Sequence, residues 1–102
     1  MNTNVEVTFK NPHYELNKKA RFTSSTKYDT FINWVSGEFD LYLQDEKSNG
    51  LSIFFPEGNF HIKNEIENGT IIADINLESK LLEKGHFVFE KIMSVYNLLV
   101  KK

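Results

Sequence analysis

Residues 51–77 read LSIFFPEGNFHIKNEIENGTIIADINL, and the period of this stretch decides the fold. Leu51, Ile53 and Phe55 alternate with Ser52 and Phe54. After the turn Pro56-Glu57-Gly58-Asn59, the residues Phe60, Ile62, Asn64 and Ile66 alternate with His61, Lys63, Glu65 and Glu67. After Asn68-Gly69, the residues Ile71, Ala73, Ile75 and Leu77 alternate with Ile72, Asp74 and Asn76. A spacing of two is that of a strand with one buried face. Asn-Gly is a strong hairpin signal, because a type I′ turn needs positive φ at both central positions. Successive strands joined by such short turns pair antiparallel.

Working toward the N-terminus, Phe39, Leu41 and Leu43 alternate with Asp40, Tyr42 and Gln44, which predicts a further strand with the first three facing in. A polar turn over 45–50 follows it. Tyr28, Phe31, Ile32 and Val35 follow i, i+3, i+4, i+7 spacing and predict a helix of roughly ten residues. Thr26 is its expected cap, with Asp29 completing an imperfect capping box, and Gly37 its expected stop. Val5, Val7 and Phe9 against Glu6, Thr8 and Lys10 predict a first strand. Asn11-Pro12-His13 ends it, since proline has no N–H for a ladder. Tyr14 and Leu16 extend an edge, and 18–24 forms a second strand with Ala20 and Phe22 inward.

Toward the C-terminus, Ser79 is the expected N-cap of a long helix. Leu81, Leu82, Gly85, Val88, Phe89, Ile92, Tyr96 and Leu99 trace its apolar face. Gly85 weakens a helix interior by about 1 kcal/mol relative to alanine, so a break there, with the main helix starting near His86, is an alternative. Lys101 and Lys102 suit the negative end of the dipole. The fold class that results is α+β. An antiparallel meander of five to six strands forms a curved sheet or a small barrel. One short helix follows the first strands, and the long C-terminal helix packs on the sheet.

The 102 residues make one domain, 1–102, with 40% apolar and 14% aromatic content. Nine Phe, four Tyr and one Trp supply a core without a metal or a disulfide staple. With no cysteine, thiol catalysis, Cys-zinc and iron–sulfur sites are excluded, and a cytoplasmic location is expected. The first residues lack a basic region followed by an apolar run, so no signal peptide is expected, and no stretch is long and apolar enough to span a membrane. Eleven of the twelve basic residues are Lys, and Asn and Ile are abundant. Codons for these residues are AT-rich, which points to an AT-rich bacterium or one of its mobile elements.

Charge is segregated along the chain. Residues 1–28 carry a net +3, residues 29–78 a net −8 and residues 79–102 a net +3. One outcome is simple interleaving in space, with solubility as the only consequence. Another is an acidic protein-contact patch of Asp40, Asp45, Glu46, Glu57, Glu65 and Glu67. A third is a basic track of Lys18, Lys19, Arg21 and Lys27 along an RNA backbone. The overall acidity and the single Arg weigh against that third reading.

Chemistry is hard to find. His13, His61 and His86 stand apart in sequence, and no HExxH, Gly-x-Ser-x-Gly or glycine-rich phosphate loop is present. No catalytic residue, metal ligand or cofactor is nominated. Tyr42, Phe54 and Ile72 lie opposite the inward set in their strands, and Trp34 lies one residue off the Tyr28–Val35 stripe. These four are either second-layer core or exposed contacts for a partner. The expected function is a small, non-enzymatic binding or regulatory protein of inhibitor or immunity type, acting on a protein partner. The alternative is an RNA-binding regulator on a small barrel. A cavity for a small molecule under the long helix and self-association are both compatible with the sequence.

Overall fold

The computed structural model describes residues 6–47 and 49–100. Val5, Lys101 and Lys102, which were assigned roles above, lie outside them. The order of elements is β1 (Glu6–Lys10), β2 (His13–Phe22), α1 (Ser25–Glu38), β3 (Leu43–Lys47), β4 (Gly50–Phe55), β5 (Gly58–Glu67), β6 (Thr70–Ser79) and α2 (Leu82–Val100). Six antiparallel strands form one curved, unclosed sheet in the order β1-β2-β6-β5-β4-β3. The fold is α+β, with an open sheet rather than a barrel. No helix is long and apolar enough to cross a membrane.

The period-two reading of 51–77 holds for most positions; Ile66, near the β5–β6 hairpin, is the exception at 78% exposed. Leu51, Ile53, Phe55, Phe60, Ile62, Ala73, Ile75 and Leu77 are all buried on one face. At the β5–β6 hairpin Asn68 and Gly69 have φ of 52° and 78°, the positive values a type I′ turn requires. β2 runs unbroken from His13 to Phe22 and is an interior strand, not an edge, because it pairs with β1 on one side and β6 on the other. Both helices lie over the inner face. Phe22 of β2 meets Tyr28 and Phe31 of α1 and Tyr96 of α2, with ring centroids 5.7, 5.1 and 5.3 Å apart. Tyr96 then donates its hydroxyl to the carbonyl of Arg21 at 2.9 Å, which fixes the free end of α2 to the sheet.

Three boundaries differ from the sequence reading, each for a local reason. The cap of α1 is Ser24, whose Oγ accepts from the backbone N–H of Lys27 at 3.2 Å, and the helix therefore starts earlier than Thr26 implied. It also runs through Gly37 to Glu38, and Phe39 tucks into the core behind it. Residues 39–42 are thus a turn, not strand. β3 starts at Leu43 with its faces reversed: Leu43 and Leu41 are exposed, and Gln44 points inward. The reversal follows from the helix end. The Gln44 amide donates to the carbonyls of Ser36, in the last turn of α1, and Phe39, just past it, at 2.9 and 2.8 Å; the Phe39 carbonyl also accepts from the Tyr42 N–H at 3.0 Å. Its carbonyl accepts from the Ser36 hydroxyl at 2.6 Å. Satisfying these groups outweighs burying one leucine.

The third boundary is at α2. Ser79 ends β6 and is buried; its Oγ donates to the Leu81 carbonyl at 2.7 Å and accepts from the Leu81 N–H at 3.2 Å. It shapes the turn before the helix and is not the expected N-cap. Leu81 lies outside the helix and is exposed. α2 is unbroken through Gly85, which is buried. A Cβ at Gly85 would stand 3.2–3.4 Å from Ser79, Leu77 and Leu16 side chains, so the missing side chain is what lets the helix lie this close to the sheet. Gly37 is the opposite case. It is helical, and a Cβ there would meet nothing within 4 Å. Gly37→Ala should raise the unfolding free energy by about 0.5–1 kcal/mol, read from the urea midpoint, because it lowers the entropy of the unfolded chain without a clash.

Candidate functional site

With both helices on the inner face, the outer face of the sheet is left open. Its side chains fall in cross-strand rows set by the register. One row runs Asp45, Ser52, His61, Asn76, Asn17, Glu6 across all six strands. The next runs Leu43, Phe54, Asn59, Glu78, Glu15, Thr8. The β1–β2–β6 side of these rows is polar. The Asn17 amide donates to Asp74 and to the Ile75 carbonyl, each at 3.2 Å, and also to the Asn76 side chain. A depression of about 430 Å³ opens there, with Glu6, Glu15, Asn17, His61, Asn76 and Glu78 in its lining.

On the β3–β4 side the second row is apolar. Leu43 and Phe54 are cross-strand partners, 74% and 39% exposed. The Phe54 and His61 rings stand nearly perpendicular, 6.3 Å apart between ring centres. His61 Nδ1 and Ser52 Oγ are 2.6 Å apart. A nucleophile and base of this kind need a third group to orient the imidazole. Asp45 faces Ser52 in the register, but its carboxylate lies 3.6 Å from Lys47. The described contacts therefore show a hydrogen-bonded surface pair without an orienting carboxylate.

The sequence-nominated acidic residues are dispersed. Glu65 lies 3.6 Å from Lys19, Glu67 3.7 Å from Arg21, and Asp45 beside Lys47 as above. Glu46 is on the other side of β3, lining a depression with Tyr28 and Ile32. Glu57 is in the β4–β5 turn, where its carbonyl accepts from the Lys80 N–H at 2.9 Å. Asp40 follows α1 and shares a small depression with Lys84 and Lys91 of α2. Of the basic set, Lys19 and Arg21 share these ion pairs, Lys18 falls on the inner-face parity of β2, and Lys27 lies in the first turn of α1. The exposed pairs are worth about 0–1 kcal/mol each. Their main consequence is that opposite charges alternate across the surface.

The four apolar candidates divide. Trp34 is 47% exposed on α1, and Phe54 is exposed as described. Tyr42 is partly buried and packs against Phe39 at 6.2 Å. Ile72 is only 2% exposed although it faces outward, because Arg21 and Glu65 flank it in the register and long side chains cover apolar neighbours with their stems. Leu43 was missed because its parity depends on Gln44. His13, Glu15 and Glu78 were also missed. The signal for the first two was a His-x-Glu alternation, which puts both on one face of a strand.

The interior is filled where a ligand cavity under α2 was one alternative: Phe22, Phe31, Phe89 and Ile92 are buried in a single cluster there. No protein-family model and no curated protein matches the sequence. Among solved structures the chain is similar in fold to the crystal structure of CalU16 from Micromonospora echinospora, with a TM-score of 0.52 and 7% identity over 95% of this chain and 83% of that one.

Proposed function

We propose that this chain is a non-enzymatic binding protein that docks a protein partner at the β3–β4 corner of its open sheet face. One observation carries the reading. Leu43 and Phe54 stand exposed side by side in the register, on a face that neither helix covers. β3 is also a sheet edge, and its free backbone groups can accept an extended segment of a partner. Asp45, two residues from Leu43 on the same face, borders the patch together with Lys47, 3.6 Å from its carboxylate, so the matching surface is apolar with a polar rim of both signs.

The RNA reading has less support, since Lys19 and Arg21 each lie within 3.7 Å of a glutamate. A cytoplasmic, bacterial mobile-element setting belongs to the same proposal and rests on composition; the base composition and neighbours of the gene test it.

The experiment is stoichiometric co-purification from the source cell, followed by an affinity measurement on the purified pair. Leu43→Asp and Phe54→Asp should each weaken the complex by roughly 30-fold or more, the effect of losing a central apolar anchor. Leu98→Asp, on the exposed side of α2, should leave it unchanged. Equal affinities for all three variants, or no stoichiometric partner, would sink the reading.

A further inference from the structure

The β2–β6 side of the same face holds three side chains that partner docking does not use. His13 opens β2, Glu15 follows it two residues on, and Glu78 of β6 is the cross-strand partner of Glu15. His13 Nε2 lies 3.5 Å from Oε2 of Glu15 and 3.5 Å from Oε2 of Glu78. One donor atom from each of the three residues falls within 4.8 Å of the other two. The side chains are half-buried, at 30, 34 and 46% exposure for His13, Glu15 and Glu78.

Three features of this cluster point to an ion. Carboxylates directly opposed across two strands repel, and Lys10 meets only the far oxygen of Glu15, so a cation between Glu15 and Glu78 would relieve the repulsion. His13 Nε2 is buried and has no hydrogen-bond partner, although two acceptors flank it. It sits equally far from both, beyond the usual N–H···O range of 2.7–3.2 Å. A tetrahedral ion holding nitrogen and oxygen donors at 2.0–2.2 Å keeps those donors about 3.4 Å apart. Both nitrogen–oxygen separations are already near that length. Lys10 Nζ, 3.4 Å away, holds the other oxygen of Glu15, Oε1, and so leaves Oε2 free to face the histidine.

We propose that His13, Glu15 and Glu78 form a binding site for a divalent transition-metal ion, zinc above all, with one coordination position open. The imidazole selects against calcium and magnesium, which take all-oxygen sets. Because Glu15 and Glu78 also line the 430 Å³ depression, the open position faces solvent, where a water completes the shell.

The test is calorimetric titration of the full chain with zinc at neutral pH, repeated with cobalt(II) followed by its visible ligand-field bands. One equivalent should bind saturably and raise the melting temperature, and cobalt should show the intense bands of a four-coordinate site. His13→Ala and Glu78→Gln should each weaken binding by more than about 100-fold, since losing even an outer-shell partner costs 10–100-fold. Glu15→Gln, which keeps the side-chain shape, should do the same with circular dichroism unchanged. His86→Ala should bind as the parent does. The proposal is overturned by an absence of saturable zinc binding, by calcium binding more tightly than zinc, or by binding that survives His13→Ala. None of these outcomes depends on whether a protein partner exists.

Discussion

Phe22→Ala should lower the unfolding free energy by about 3–5 kcal/mol, at least about a fifth of the 5–15 kcal/mol typical of a domain. Phe22 is fully buried and touches rings from both helices, Tyr28 and Phe31 on α1 and Tyr96 on α2. Removing its ring takes away burial and leaves a void that the packed elements cannot close, because β2 is held on both sides by its neighbours. Phe54→Ala deletes the same ring from the exposed outer face and should cost about 1 kcal/mol or less. The difference in urea midpoints between the two variants measures how unequal the two faces of the sheet are. Similar losses would show that the assignment of inner and outer faces is wrong.

Gly58→Ala should destabilise the domain by about 2–4 kcal/mol and lower its melting temperature by on the order of 10–30 °C. Gly58 pairs with Ser79 at the start of the β5–β6 ladder. A Cβ there would overlap the Glu78 carbonyl and stand 2.8 Å from its carbon and 2.9 Å from the Ser79 Cα. These are backbone atoms and cannot swing aside, so the strands must part. The neighbouring bond from the Lys80 N–H to the Glu57 carbonyl, which carries the chain toward α2, would loosen with them. Thermal unfolding followed by circular dichroism measures the loss. A wild-type melting curve would mean that this end of the ladder tolerates a side chain. With Gly37→Ala the same chemical change should act in the opposite direction, so the pair separates steric from entropic effects.

The fold was legible where a simple period rules the local energetics. From Leu51 to Leu77 most inward residues gain from the same buried face, with Ile66 near the hairpin left exposed, and Asn68-Gly69 satisfies a turn that few other dipeptides can make. The reading failed at residues 39–44, where a helix end competes with strand alternation. Phe39, Leu41 and Leu43 have the right spacing, but hydrogen bonding of the Ser36 and Phe39 carbonyls by Gln44 decided the register. That competition is between backbone groups and one leucine, and hydropathy alone does not record it. The site was less legible for a different reason. Glu15 and Glu78 are 63 positions apart and meet only because β2 and β6 pair, and strand order is not written in local pattern. Charge segregation along the chain likewise vanished when the same pairing set Lys19 and Arg21 across from Glu65 and Glu67, with β6 between them.

The seat of β2 between β1 and β6 has a consequence during synthesis. A ribosome releases this chain from its N-terminus, and β2 is complete at Phe22, but the strand it must join ends at Ser79. At about 5–20 residues per second, the intervening stretch takes roughly 3–11 s to emerge. Throughout that interval β2 has only β1 to pair with, and the edge that will meet β6 stays open. The 19 residues of α2 that cover its greasy side come later still. This order of birth leaves the inner face of the N-terminal third uncovered until the C-terminal helix has emerged.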